Sequence, residues 1–184
     1  MAEADLNDLI SRTARGDKSA FAELYRALEG PLFRFLRSKL NDPFEAADLV
    51  HEVFLEVWNN ASRFEGRSSV KSWVFGIAYR KAMDVFRKSR RVDYTDDLPD
   101  TEDESPDAEA CLLASQNGQH VRACLETLKT DHRSAIELAF FEDLSYREIS
   151  QISDVPEGTV KTRVFHAKQL MLRCLAGRIG KEAL

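Results

Sequence analysis

Two groups of residues in this 184-residue chain have the chemistry to hold a nucleic acid. The first lies between Leu144 and Arg173, in LSYREISQISDVPEGTVKTRVFHAKQLMLR. At 3.6 residues per turn Val160, Val164, Ala167, Met171 and Cys174 share one helical stripe, which is expected to be buried. The opposite face presents Thr162, Phe165, His166, Gln169 and Arg173, with Lys161, Arg163 and Lys168 on its flanks. A helix in a DNA major groove needs cations for phosphates, polar groups for base edges and an apolar group for a thymine methyl. The competing reading is a bundle helix with a basic outer face, and Phe165 is unusual for a face that is merely solvated. The second group runs from Arg63 to Arg91, where nine Lys and Arg stand against Glu65 and Asp84. Phe64, Trp73, Phe75, Tyr79 and Phe86 interleave with them. Rings on which bases stack, set among cations that follow phosphates, suit a single strand. Phe75 is read as core, and Trp73 is left open between core and stacking platform.

A third group has the opposite sign. Glu45, Asp48, Glu52 and Glu56 line one side of a helix, and residues 41–61 contain no Lys or Arg. Like charges four apart cost a few tenths of a kcal/mol, about 0.2–0.5 per pair. The stripe is therefore either a plain solvated face or a seat for a basic partner. Charge is segregated elsewhere too. The net charge is −5, yet residues 92–110 hold nine acidic residues and no cation, so the rest of the chain is net positive.

Catalytic chemistry finds no footing. His51-Glu52 begins an H-E-x-x-H pattern, but position 55 is Leu. No P-loop or G-x-S-x-G elbow is present. Cys111, Cys124 and Cys174 are odd in number and widely spaced, which argues against a disulfide framework. His120 and Cys124, four apart, have no second close pair to complete a metal site and are read as ordinary helix residues. No catalytic residue, metal ligand or cofactor is assigned. No apolar run reaches membrane-spanning length and MAEADLNDLI is not a leader, so a cytoplasmic protein with no direct membrane insertion is expected.

The elements that must position these groups are helices. Two short ones are expected at 5–15 and 19–28, broken at Gly16 and with Ser19 as the cap of the second. Pro31 is expected to start a third, through Leu40. Asp42, Pro43 and Glu45 fit the N-cap, N1 and N3 positions of the next. That helix should bury Ala47, Val50, Phe54, Val57 and Ala61. From Val70 a further helix should turn Val70, Val74, Ile77 and Val85 inward. Ser72, Gly76, Tyr79, Arg80, Met83 and Arg87 should face out; Lys81 falls in the apolar sector, which requires snorkelling or a bend. After the acidic stretch come helices at 111–115 and 120–129, separated at Asn117-Gly118, and one at 131–141. Ser145 and Glu148 then have capping-box spacing, with Leu144 and Ile149 as a staple. A short helix should follow over 146–152, and Pro156 suits the start of the next, giving a helix-turn-helix.

Taken together, these segments resemble the extracytoplasmic-function (ECF) group of bacterial RNA polymerase sigma factors, in the sigma-70 family. DPFEAADLVHEVFLEVW is similar to conserved regions 2.1–2.2 and RSSVKSWVFGIAYRKAMDVFRKSRR to regions 2.3–2.4. LSYREISQISDVPEGTVKTRVFHAKQLM is similar to region 4.2. The resemblance implies an all-α fold of two small helical domains joined by an acidic flexible linker, the C-terminal one containing the helix-turn-helix. Residues 1–91 would be region 2, 92–107 the linker and 108–184 region 4. It implies a transcription initiation factor that binds core RNA polymerase, reads the −35 element and melts the −10 element. The −35 contacts would come from Thr159, Lys161, Thr162, Arg163, Phe165, His166 and Lys168. Phe64, Ser68, Ser69, Lys71, Trp73, Arg80 and Arg87 would serve the −10 element. Asp48, Leu49, Glu52, Val53 and Glu56 would bind the β′ clamp helices, and region 4 the β flap. An anti-sigma factor is implied as the controlling partner, holding the chain at the inner membrane where that partner is membrane-bound. Two positions depart from the family pattern: Arg80 where Asn is common, and His166 where Arg is common. The rival readings are a stand-alone helix-turn-helix regulator, and an interaction protein that borrows the fold to bind a sigma-sequestering partner.

Overall fold

Helix caps and apolar stripes dictate the architecture. The computed structural model describes residues 3–40, 42–92 and 110–182; the acidic stretch expected to be a linker lies outside them except for its flanks. Among the described residues the regular structure is all helical: α1 (Glu3–Ala14), α2 (Lys18–Arg37), α3 (Pro43–Asn60), a 3-10 turn (Ala61–Arg63), α4 (Val70–Val92), α5 (Ala110–Glu126), α6 (Thr130–Phe140), α7 (Tyr146–Ser153) and α8 (Glu157–Glu182). The all-α expectation holds, with a helix-turn-helix in the second half.

Several boundaries differ from the sequence reading, each for a physical reason. Asp17, not Ser19, caps α2: its carboxylate accepts the Ser19 and Ala20 N–H groups at 2.9 and 3.1 Å. The Ser19 hydroxyl, the Ala20 N–H, the Arg12 guanidinium and the Ser19 N–H, in that order, hold the Asp17 carboxyl well below the usual carboxylate range, against its partial burial. Gly16 makes the break with φ +85°, a left-handed conformation that glycine takes at no steric cost. Pro31 does not start a helix; it lies inside α2. The apolar stripe Leu24, Leu28, Leu32, Phe35, Leu36 runs through it fully buried, and that burial outweighs the backbone bond a proline removes. Asn117-Gly118 likewise fails to break α5.

On α3, Asp42 accepts the Phe44 N–H at 2.8 Å and Pro43 opens the helix, as expected. Its buried side is Ala46, Leu49, Val50, Val53, Phe54 and Val57, with Ala47 only half-buried. On α4 the inward set is Val70, Val74, Phe75, Ile77, Ala78 and Ala82. Ser72 and Gly76, expected to face solvent, are buried as well. The reason is tertiary. A single cluster of buried side chains runs from Leu6 through α2, α3 and α4 and on into Leu138, Leu144, Ile149, Ile152, Val160 and Val164. The second half of the chain packs on the face of α4 that one helix alone would leave open.

The second half has a smaller cluster of its own, Cys124, Leu125, Leu128, Ile136, Ala167 and Met171. There Cys124 and Cys174 form a disulfide, contrary to the expectation that the odd, widely spaced cysteines make no disulfide framework. The two lie 50 residues apart in sequence, and only the packing of α5 against α8 brings them within reach. Closing a loop of that length is worth about 4 kcal/mol on chain-entropy grounds.

Candidate nucleic-acid interface

The turn between α7 and α8 sets the angle of α8. Ser145 and Glu148 form a complete capping box, the Glu148 N–H reaching Ser145 Oγ at 3.3 Å and the Ser145 N–H reaching Glu148 Oε2 at 2.9 Å. Asp154 ends α7 in the left-handed region at φ 52°, which Asp tolerates better than most residues. Ser150 Oγ then donates to the Val155 carbonyl at 2.6 Å, and α8 begins after Pro156.

On α8 the expected stripe Val160, Val164, Ala167 and Met171 is buried, and Cys174 is half-buried in its disulfide. Lys161, Thr162, Phe165, His166 and Lys168 are exposed and Thr159 is half-buried. Phe165 is 58% exposed, a large ring in water on a polar face. Lys168 Nζ lies 4.5 Å from the centre of the Phe140 ring. Arg163 is the exception in the group: it turns away from this face and pairs with Asp131 of α6 at 2.6 Å. An open cleft of about 630 Å³ beside the exposed face of α8 is lined by His132, Phe165, His166, Gln169, Leu170 and Arg173.

The sequence reading missed His132. Its ring stacks on His166 with centroids 6.2 Å apart, and its Nδ1 is buried without a hydrogen-bond partner. Burial pushes the His132 pKa down, and the nearby His166, Lys129 and Arg163 push the same way against Asp131. A histidine held neutral in the folded state contributes stability that is present above its unfolded pKa of about 6.5 and is lost as pH falls below it. Thermal melts at pH 7.5 and 5.5 should therefore show acid destabilisation of the native chain. His132→Leu should lose less over the same interval.

The single-strand candidates collect at the start of α4. Phe64 and Trp73 are both half-buried with ring centres 5.2 Å apart, so Trp73 is neither pure core nor a free platform. Ser69 Oγ accepts the Ser72 N–H at 3.1 Å and so caps α4. Ser68 and Lys71 lie beside it, half-buried. Arg80 and Arg87 are exposed farther along the helix, about 14 and 24 Å from Lys71 at 1.5 Å per residue, and Arg87 pairs with Asp84. Fully buried Phe75 is core, as expected.

The acidic stripe divides. Asp48 and Glu52 are exposed and Glu56 is half-buried. Leu49 and Val53, grouped with them from the sequence, are 5% and 0% exposed and belong to the core, so their side chains are not available to a partner. One turn of an α-helix puts them on the inward side of the same segment. Phe44 and Leu55, which the sequence reading did not single out, are exposed instead at 79% and 62%. Spacings of 4, 4 and 3 place Phe44, Asp48, Glu52 and Leu55 on one face. Lys81 finds its explanation here. Its ammonium reaches Glu52 at 3.3 Å and Glu56 at 3.4 Å, snorkelling from the apolar sector to the edge of the stripe.

Comparison with known proteins decides between these readings. Residues 24–92 match the family model for Sigma-70 region 2, and residues 119–171 match that for Sigma-70, region 4. The ECF RNA polymerase sigma factor SigK of Mycobacterium bovis is 31% identical over 179 residues, which cover 94% of each chain. This chain belongs to the ECF sigma factors of the sigma-70 family. A second relative, the ECF RNA polymerase sigma factor RpoE of Cereibacter sphaeroides, is 32% identical over 149 residues, covering 80% of this sigma factor and 82% of that one. Two solved structures share the fold. CnrH, in complex with the cytosolic domain of CnrY, matches with a TM-score of 0.68 at 20% identity over 94% of this chain and 98% of that one. RpoE of Bartonella quintana, in complex with the anti-sigma factor NepR, matches with a TM-score of 0.67 at 23% identity over 84% and 96%. As a sigma factor, the chain is a transcription initiation factor that directs core RNA polymerase to promoter DNA. A stand-alone helix-turn-helix regulator would account for α7 and α8 only.

Proposed function

We propose that the two halves of this sigma factor divide promoter recognition as follows. Residues 108–184 act as region 4 and grip the −35 duplex through α8, with Thr159, Lys161, Thr162, Arg163, Phe165, His166 and Lys168 as the contacting set. Residues 1–91 act as region 2 and melt the −10 element. Phe64 and Trp73 offer rings to extruded bases, while Ser68, Ser69, Lys71, Arg80 and Arg87 hold phosphates. Residues 92–107 join them as a linker. Melting costs a few kcal/mol per flipped base, and stacking at about 1–3 kcal/mol per base offsets it. No catalytic chemistry is needed from the chain itself.

The observation that carries this reading is the two-sidedness of α8. One face is packed into the core, and the other holds Lys161, Thr162, Phe165 and His166 exposed together. Polymerase docking is assigned to Asp48 and Glu52 with Phe44 and Leu55, a face of mixed acid and exposed apolar surface suited to the β′ clamp helices; region 4 would meet the β flap. An anti-sigma factor is the expected controlling partner, in keeping with the anti-sigma factor NepR bound to RpoE of Bartonella quintana. No described helix is long and apolar enough to cross a membrane, and a cytoplasmic location fits the work.

Arg163 gives the test. Replacement with Ala should weaken binding to a −35 duplex by about 1–3 kcal/mol and relax selectivity at one base pair, if the guanidinium leaves Asp131 to read a base edge. Titration of matched and mutated duplexes at two salt concentrations separates this from a phosphate contact. A phosphate contact would instead give an even loss across sequences and a shallower salt slope.

A further inference from the structure

Phe165 and His166 belong to the set assigned to the −35 duplex, and both also line the open cleft between α8 and the first turn of α6. His132 forms the α6 side of that cleft. Its place follows from the helix. It lies four residues before Ile136, on the side of α6 that joins Ala167 and Met171 of α8 in one apolar cluster. One turn nearer the helix start, that side meets α8 at His166, whose ring centre is 6.2 Å away. Nothing in the packing asks for a histidine here. The ring is half-buried, and Nδ1 is buried with no hydrogen-bond partner. A leucine would fill the place without an orphaned nitrogen.

The orphan decides which nitrogen can act. A proton on Nδ1 would be a buried donor with no acceptor, so the neutral ring carries its proton on Nε2. Burial first, and then His166, Lys129 and Arg163, favour that neutral form against Asp131. The rest of the cleft matches. Arg173, Gln169 and His166 bring N–H groups, Phe165 and Leu170 bring apolar wall, and none of the lining residues is acidic. Asp131, next to His132 in the chain, is held by Arg163 at 2.6 Å. Donors and carbon with no carboxylate suit the phosphate and sugar edge of a duplex. We propose that His132 is a further −35 contact, donating Nε2–H from α6 to a backbone phosphate of the duplex that α8 grips. The inference rests on the assignment of the exposed α8 face to the −35 element. A neutral donor of this kind positions the duplex without reading its sequence, and it displaces no counterion.

The test uses holoenzyme, the full-length chain on core RNA polymerase, and a fluorescein-labelled promoter duplex with its −35 element matched or mutated. Titrations are run at two salt concentrations and at pH 8, where a histidine of ordinary pKa, about 6.5, is neutral. His132→Leu should weaken binding by about threefold to tenfold, the loss expected of one hydrogen bond. That loss should be equal on both duplexes and leave the salt slope unchanged. His132→Gln, whose amide nitrogen can stand where Nε2 stands, should bind within about twofold of wild type. His132→Asn, whose amide reaches only the place of Nδ1, should lose as much as His132→Leu. Thermal melts establish that each variant is folded, and the contrast of Gln with Asn holds without the leucine variant. Lys161→Ala is the control for α8 and should weaken binding with a shallower salt slope. If it does so while His132→Leu changes nothing, the His132 contact is overturned and the α8 reading stands; if neither weakens binding, both fall. A loss confined to the matched duplex, a shallower slope for His132→Leu, or a glutamine variant no better than the leucine one would also overturn the contact.

Discussion

Replacing Glu137 with Leu should cost this sigma factor about 3–5 kcal/mol, because it leaves a buried ammonium with no counter-charge. The Lys39 side chain is only 2% exposed, and Glu137 is its carboxylate partner at 2.6 Å. Burial lowers the Lys39 pKa to about 8, with Arg133 adding to the effect and Glu137 opposing it; the Phe35 ring lies beneath the ammonium at 4.7 Å. Removing both members, Lys39→Met with Glu137→Leu, should be neutral or stabilising by about 1–4 kcal/mol, since an apolar pair need not be desolvated at such cost. Urea unfolding of the two single variants and the double variant reads this directly. Where opening of the region 2–region 4 contact is easier than unfolding, the single variants will expand in scattering instead of losing their full stability. The pH dependence has a definite sign. The closed contact disfavours the charged lysine, so its penalty is complete below pH 8 and is relieved as pH rises through about 8 toward the unfolded value of about 10.4. The contact should tighten over that window in the wild type and not in Lys39→Met.

Phe75→Ala is expected to cost about 3–5 kcal/mol as well, by a different route. The ring is fully buried and meets Phe35 edge-on with centroids 5.4 Å apart, beneath the turn of α4 that carries Lys71 and Trp73. The cavity left behind would loosen the helix that places those side chains, so promoter melting should fail before the duplex grip of α8 does. Phe75→Leu should cost less than about 1.5 kcal/mol if its volume is taken up by repacking, and should keep activity. Urea unfolding together with permanganate reactivity at the −10 element distinguishes loss of the scaffold from loss of a contact.

Much of this molecule is legible in the sequence wherever the signal is local. The Ser145–Glu148 box, the Asp42-Pro43 start and the Val160–Met171 stripe each need only a few neighbouring residues, and each is found in place. What the sequence does not reveal depends on distant segments. Pro31 reads as a helix start because only packing shows that the stripe on both sides of it enters one core. Ser72 and Gly76 read as outward because α4 is covered on two sides, by α1, α2 and α3 on one and, from the other half of the chain, by α7 on the other. Cys124 and Cys174 become partners only once α5 lies on α8. Leu49 and Val53 read as partner-facing through their place in a family-like motif, whereas a helical wheel drawn around Phe44, Asp48, Glu52 and Leu55 would have separated the faces.

On the proposed division, the exposed face of α8, the ring pair Phe64–Trp73 and the acid-and-apolar face of α3 would serve three different partners on one short chain. Their separation explains why a protein with a net charge of −5 can still work on DNA.

Run-off transcription with core RNA polymerase on a library of genomic fragments, with permanganate probing of the strands, tests the division of labour most directly. The full-length chain should direct transcripts from discrete start sites, with thymines near −10 becoming reactive only when it is present. Phe64→Ala with Trp73→Ala should keep duplex binding at −35 and lose that reactivity. A folded chain that binds core enzyme yet yields no specific start, or a double variant that melts −10 as well as wild type, would contradict the account.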